Sequence, residues 1–97
     1  MRILSRSTLR DFRESHRDVE EALKNWYYEA SHADWQNPAD VNTAHRNASI
    51  IANNRVVFNI KGNNYRLIVA IRYDIGIIFI RFIGTHAEYD KVDTTII

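Results

Sequence analysis

The strongest constraint on the fold is the alternation of side chains in the segment 65–73. Its odd positions are all bulky and apolar or aromatic, whereas its even positions include Arg66 and Arg72. Successive side chains of a β-strand point to opposite faces, so a strand here places both arginines on one face. An arginine is costly to bury unless it is paired. The pattern therefore predicts a strand with one core face and one face open to water or to an anion.

The same period of two predicts two further strands, at residues 55–60 and 77–83. Turns at 61–64 and 74–76 separate them, and each turn contains a glycine. Three consecutive strands joined by hairpins must be antiparallel. A weaker apolar segment at residues 1–5 predicts a short additional strand.

Helical periodicity comes before the sheet. A first helix is predicted to about His16, with its N-cap at Ser7 or Thr8, and a second runs from an N-cap at Asp18 to about Ser31. The second helix places Trp26 on its apolar stripe, and core packing is also the favoured role for Trp35. A short helix is possible at residues 39–44. The order β-α-α-loop-β-β-β predicts an α+β fold, with a helical hairpin packed on one face of an antiparallel sheet and an open, concave face opposite.

Length and composition limit the classes of function. The 97 residues predict one domain, and 45% apolar with 26% charged residues is ordinary globular material. No cysteine is present, which excludes disulfides, thiolate catalysis and cysteine-based zinc sites. The longest apolar runs are short and interrupted by arginine, and no signal-peptide pattern is seen. We therefore expect a soluble cytoplasmic protein without a membrane segment.

Charge distribution is more informative than net charge. The formal net charge is only +1, which gives no whole-molecule argument for nucleic-acid binding, but five basic residues and one acidic residue lie between Arg55 and Arg81. Planar guanidinium groups bind phosphate bidentately, so Arg66, Arg72 and Arg81 are candidate phosphate ligands. The alternative is an exposed sheet face whose arginines pair with nearby carboxylates. That alternative is favoured for Arg72 and Arg81, whereas Arg66 follows a turn at a strand end, where sites accumulate.

Candidate acid–base groups follow the last predicted strand. His86 can act as acid or base near neutral pH, Tyr89 can stack on a base or exchange a proton, and Lys91 can stabilise developing charge. A single histidine in a loop is most often structural, and here the neighbouring Arg, Tyr and Lys raise the functional interpretation. The four histidines show no metal-ligand spacing, so we expect neither a metal site nor a cofactor.

Three runs of sequence resemble the C-terminal signature of HigB-type toxins of the RelE/ParE superfamily: residues 57–63 (VFNIKGN), 65–68 (YRLI) and 81–91 (RFIGTHAEYDK). The two predicted helices and Trp35 also fit that layout, so the resemblance covers nearly the whole of 1–97. It implies a RelE-like toxin of a type II toxin–antitoxin system that binds the ribosome and cleaves translated mRNA. It further implies a HigA-type antitoxin with a helix-turn-helix domain, through which alone the complex binds operator DNA.

The resemblance also implies roles for individual residues. Arg66 matches the arginine that contacts the scissile phosphate, and Tyr89 matches a tyrosine of the C-terminal segment. His86 stands near where RelE has an arginine, and Lys61 is the only candidate for the lysines on the strand that precedes the arginine strand. The predicted catalytic residues are Arg66, His86 and Tyr89, and the predicted RNA- or phosphate-binding residues are Lys61, Arg72, Arg81 and Lys91.

Two alternatives from other classes remain open. A ParE-like toxin has the same fold but poisons DNA gyrase through protein contacts, without cleaving RNA. A non-catalytic RNA- or protein-binding module is the simpler alternative. The cluster of His86, Tyr89 and Lys91 argues against the ParE-like alternative, because a toxin that only binds its target does not need it.

Overall fold

The computed structural model describes residues 1–97 and combines one sheet with a layer of helices. The strands are β1 (Arg2–Leu4), β2 (Ser49–Ile51), β3 (Arg55–Ile60), β4 (Tyr65–Arg72) and β5 (Ile77–Thr85). The helices are α1 (Arg6–Ser15), α2 (Glu20–His32), α3 (Pro38–Ala44) and the short α4 (His86–Tyr89), with a 3-10 turn at Arg17–Val19 between α1 and α2. No helix is long and apolar enough to cross a membrane.

The sheet has five strands in the order β1-β5-β4-β3-β2. β3, β4 and β5 are antiparallel neighbours as predicted, but β1 pairs with β5 in parallel. The expectation of a wholly antiparallel sheet was therefore wrong. The predicted element order also lacked β2 and α4. β2 is paired to β3 across a tight turn in which Asn53 and Asn54 both have a φ of 62°, the conformation of a hairpin turn.

Both predicted N-caps were wrong. α1 begins at Arg6, after Ser5, which has a φ of 67° and makes no side-chain cap. Asp18 caps no helix, because both of its carboxylate oxygens accept hydrogen bonds from the hydroxyl of Tyr65 at 2.9 and 2.8 Å. The Asp18 carboxylate therefore bonds to Tyr65, a residue distant in sequence, instead of capping the helix as the local pattern predicted.

The helices pack on one side of the sheet, which we call the helix-facing side. Phe58 lies near its centre, 1% exposed, with its ring centroid 5.4 Å from that of Trp26 and 6.1 Å from that of Trp35. The core roles predicted for both tryptophans are confirmed, since each is no more than 5% exposed.

The opposite side of the sheet, the arginine side, carries Arg66, Arg72 and Arg81. The prediction that this side is open was only partly right, because Val57, Ile68 and Ala70 are buried there. The end of the chain returns to this side. The Nδ2 of Asn53 donates to the carbonyl oxygen of Thr95 at 3.0 Å. The Nε of Arg55 donates to the main-chain oxygen O of Ile97, also at 3.0 Å. The end of the chain therefore contacts the arginine side beside Asn53 and Arg55.

Candidate functional site

Arg66 lies at the start of β4, directly after the hairpin turn at residues 61–64. Its Nη1 donates to the carbonyl oxygens of Asn63 at 3.0 Å and Tyr65 at 3.4 Å. These bonds fix the guanidinium at the strand end and leave Nε and Nη2 for an anion. The side chain is half-buried and lies opposite Gly84 of β5. A Cβ on Gly84 would lie 2.5 Å from Cζ of Phe82, so any larger residue here would require the Phe82 ring to move.

The short helix α4 is fixed to the same strand end. Thr85 and Glu88 form a capping box. The backbone N–H of Thr85 donates to Oε1 of Glu88 at 2.8 Å, and that of Glu88 donates to Oγ1 of Thr85 at 3.2 Å. The first of these bonds is the main reason that the pKa of Glu88 lies below its ordinary value. The backbone N–H of His86 donates to the carbonyl oxygen of Asn64 at 3.2 Å, and this bond attaches α4 to the turn before Arg66.

Tyr89 is the α4 residue that meets Arg66. The guanidinium carbon of Arg66 lies 5.8 Å from the centroid of the Tyr89 ring. An aromatic face attracts a cation but does not neutralise its charge. The pair therefore forms one surface that offers a positive group for phosphate and a ring for stacking.

His86 and Asp90 occupy one exposed face of the segment. The Nδ1 of His86 lies 3.1 Å from Oδ2 of Asp90, one helical turn later. A carboxylate beside Nδ1 orients the imidazole and leaves Nε2 free to exchange a proton with a bound substrate.

Arg81 lies on β5, three residues before Gly84, and Lys91 follows α4. The ladder between β4 and β5 shifts register between Ile68 and Val69, so Arg81 is the extra residue of a β-bulge. Its guanidinium carbon lies 5.7 Å from the ring centroid of Phe79 on the arginine side. Lys91 is exposed just beyond α4, and its backbone N–H donates to Glu88 at 3.2 Å.

Two predicted phosphate ligands lie away from the cluster. The Nζ of Lys61 is 3.1 Å from Oδ2 of Asp18, the carboxylate that also binds Tyr65, on the helix-facing side. Arg72 is at the other end of β4, about 20 Å from Arg66 at the usual rise per strand residue. It binds both carboxylate oxygens of Asp74 at 3.1 and 2.9 Å, and this hydrogen bonding is the main cause that lowers the pKa of Asp74.

Some supporting residues were missed from the sequence. The spacing of Thr85 and Glu88 is the capping-box pattern and could have identified α4. The pairing of His86 with Asp90 depends on that helix. The close packing at Gly84 involves Phe82 of the same strand and Glu88 of α4, and it depends on that helix as well. No group of three or more His, Cys, Asp or Glu residues is arranged to hold a metal ion.

The arrangement places a guanidinium, an aromatic ring and an imidazole–carboxylate pair at one edge of the sheet. Comparison with protein families then decides the class. A family model described as HigB_toxin, the RelE-like toxic component of a toxin–antitoxin system, matches residues 19–92. The chain belongs to the HigB toxin family. The match extends from the residue before α2 to beyond α4 and includes every predicted site residue.

This membership confirms the resemblance found in the sequence. The HigB-family chain is a RelE-like toxin of a toxin–antitoxin system, and such a toxin has an antitoxin as its partner. Its mixed α+β architecture is compatible with the RelE-like fold. A search of curated proteins gives no match.

Proposed function

We propose that residues 1–97 act as one toxin domain that cleaves mRNA on the ribosome. The observation that carries the proposal is the contact of Arg66 with Tyr89, at the strand end to which the His86-bearing helix is attached. This combination supports a site that binds phosphate and transfers protons.

The proposed reaction uses the mRNA itself as nucleophile. A 2′-hydroxyl attacks the adjacent phosphorus, the bond from phosphorus to the 5′-oxygen breaks, and a 2′,3′-cyclic phosphate and a 5′-hydroxyl are formed. One proton leaves the 2′-hydroxyl and another is delivered to the 5′-oxygen. Because the nucleophile is part of the substrate, the enzyme needs to align it, move these protons and stabilise charge.

The residues divide these tasks. Arg66 binds the non-bridging oxygens of the scissile phosphate through Nε and Nη2. His86 exchanges one of the two protons, with its ring oriented by Asp90, and Tyr89 stacks on a base or exchanges the other proton. Arg81 and Lys91 bind neighbouring phosphates. We leave Lys61 and Arg72 out of the site, because each is paired with a carboxylate outside it.

Dependence on the ribosome is consistent with the weak charge of the chain. A net charge of +1 gives little long-range attraction for free RNA. The ribosome supplies the missing alignment by holding the mRNA, so a small set of polar groups suffices.

The experiment that tests this proposal combines purified toxin, translating ribosomes and a defined mRNA, followed by mapping of the new 5′ ends and analysis of the 3′ ends. We expect cuts within the translated region, with 2′,3′-cyclic phosphate or 3′-phosphate ends. Fragments that end in a 3′-hydroxyl would contradict the mechanism. Intact mRNA together with inhibited gyrase would favour the ParE-like alternative, and no effect on either would favour a binding module.

We further propose that the antitoxin is of the HigA type and reads operator DNA through a helix-turn-helix domain. The toxin itself offers only a local basic surface for DNA. In a gel-shift assay the toxin–antitoxin complex should bind the operator, whereas tight binding by the isolated toxin would contradict this assignment.

A further inference from the structure

A second basic surface lies on the helical layer, on the other side of the sheet from Arg66. It is a groove of about 670 Å³ between α1 and α2. Arg6, Arg10 and Arg13 line it from α1, Lys24 lines it from α2, and no carboxylate is among its lining residues. Four cations therefore line one groove in a chain whose net charge is +1, and two of them, Arg6 and Arg13, have no carboxylate in an ion pair with them.

The groove has an ordered wall and an apolar floor. Nη1 of Arg6 donates to the hydroxyl of Tyr27 at 2.7 Å, and the same guanidinium carbon lies 5.8 Å from the Tyr27 ring centroid. Leu9 and Leu23 form the floor. The three arginines recur every three or four residues, so they follow one face of α1 at about the 5.4 Å pitch of a helix. Carboxylates one turn apart on a partner helix have the same spacing.

The charges beside the groove select the kind of partner. Arg10 lies 3.6 Å from Asp11, and Lys24 lies 3.0 Å from Glu20, so carboxylates border the groove on both helices. A continuous polyphosphate such as RNA would meet these carboxylates along its length. A protein segment with a few spaced carboxylates and apolar residues between them can pair with the cations and avoid the acids.

Family membership supplies a protein partner, the antitoxin. We propose that an acidic segment of the antitoxin binds in the groove between α1 and α2. The proposal rests on membership of the toxin family and on the groove, and it is independent of whether the Arg66 site cleaves RNA.

The test measures binding of the purified antitoxin encoded beside this toxin. Fluorescence anisotropy compares the charge-reversed double variant Arg6→Glu/Arg10→Glu with the matched control Arg17→Glu/Arg46→Glu. The control changes the net charge equally at exposed arginines that do not line the groove. All proteins carry Arg66→Ala, so that expression does not depend on toxicity. We expect Kd to rise about tenfold or more for the groove variant and less than about twofold for the control.

The groove variant should fold normally. α1 has no acidic residue in its first turn, where a carboxylate stabilises the helix dipole, so Glu at position 6 is tolerated. If the melting temperature nevertheless falls, Arg6→Gln/Arg10→Gln removes the charges more conservatively and must show the same loss of binding.

A second titration, with a fluorescein-labelled 12-nucleotide oligouridylate, tests the other class of macromolecule. Loss of oligouridylate binding with unchanged antitoxin binding would assign the groove to RNA and overturn the proposal. Equal antitoxin affinities for the groove and control variants would overturn it as well. Both measurements use isolated components, so a negative mRNA cleavage assay would refute the proposed catalysis without affecting this result.

Discussion

Tyr65 and Arg66 are neighbours in sequence and point to opposite sides of the sheet. The Tyr65 ring packs in the core, and its hydroxyl donates to the carboxylate of Asp18. Arg66 is half-buried on the arginine side and lies against the ring of Tyr89. One strand end thus contributes Tyr65 to the core and places the candidate site residue Arg66 on the opposite side.

The cations of the chain differ in the same way. Lys61 and Arg72 each have a carboxylate within 3.1 Å, so their charge is compensated inside the protein. Arg66 and Arg81 lie instead against aromatic rings, which leave the positive charge available to an external anion. The kind of partner therefore separates structural cations from candidate phosphate ligands.

The largest expected effect is on catalysis. His86→Ala should lower the rate of ribosome-dependent mRNA cleavage by about 10²–10⁴, the usual loss when a general acid or base is removed. Because His86 is exposed, the melting temperature of the variant should stay close to that of the parent. The matched control is His32→Ala, an exposed histidine on α2, which should retain the parental rate. Equal rates for the two variants would remove His86 from the site.

The next effect is on the helix-facing core. Phe58→Ala should cost about 3–5 kcal/mol of unfolding free energy, because a large, fully buried ring leaves a cavity. Phe79→Ala, on the arginine side, should cost less, since Phe79 is only half-buried beneath Arg81. Urea denaturation of both variants checks the difference, and equal losses would mean that the two sides of the sheet contribute alike.

A smaller effect concerns acid stability. Hydrogen bonding from Tyr65, and then from Lys61, lowers the pKa of Asp18. The stabilisation that the ionised Asp18 carboxylate gives the fold is complete above about pH 4, where an unfolded aspartate is ionised. It is lost as the pH falls through the lower pKa that Asp18 has in the folded protein. Tyr65→Phe should therefore melt a few degrees earlier at neutral pH and lose less stability than the parent on acidification. The control Tyr28→Phe, at an exposed tyrosine, should follow the parental melting curve at each pH.

The smallest effect concerns His45, which packs edge-on against Trp35 and Phe58. Burial lowers its pKa, and nearby Glu29 opposes the shift. Its contribution to stability is complete above about pH 6.5, where the unfolded histidine is neutral, and is lost as the pH falls toward the folded value. The melting temperature should thus decline from pH 7 to pH 5. His45→Gln should reduce this decline, and the matched control His32→Gln should not. An equal reduction in the two variants would contradict the assignment of the decline to His45.

The sequence predicted the features that depend on local patterns. Alternation in β4 indicated which residues face the helices, and the turn at residues 61–64 marked the start of the strand at Tyr65, beside Arg66. β1 and β2 have three residues each, too few for a period, and their pairing depends on distant strands. Asp18 was misassigned as a cap because the hydroxyl that binds it is 47 residues away.

The candidate site shows the same limit. The residue types at positions 66, 86 and 89 predicted phosphate binding and acid–base chemistry, and those roles stay predictions. The sequence already favoured an exposed, carboxylate-paired role for Arg72, and its pairing with Asp74 is confirmed. The contact of Arg66 with Tyr89 could not be assigned from the sequence, because it depends on how α4 packs against the strand end. Geometry supplies the distinction, since one guanidinium lies on a ring and the other is held by a carboxylate.

The most direct test of the central claim compares Arg66→Ala with Arg72→Ala, two arginines on the same side of the same strand. The rate of mRNA cleavage on translating ribosomes and the melting temperature are measured for both. Arg66→Ala should lose about 10²–10³ in rate, the usual cost of removing a group that stabilises transition-state charge, with stability changed by no more than about 0.5 kcal/mol. Arg72→Ala should cleave like the parent. Equal rates for the two variants, or a loss of activity in Arg66→Ala that is accompanied by a large fall in melting temperature, would contradict the account.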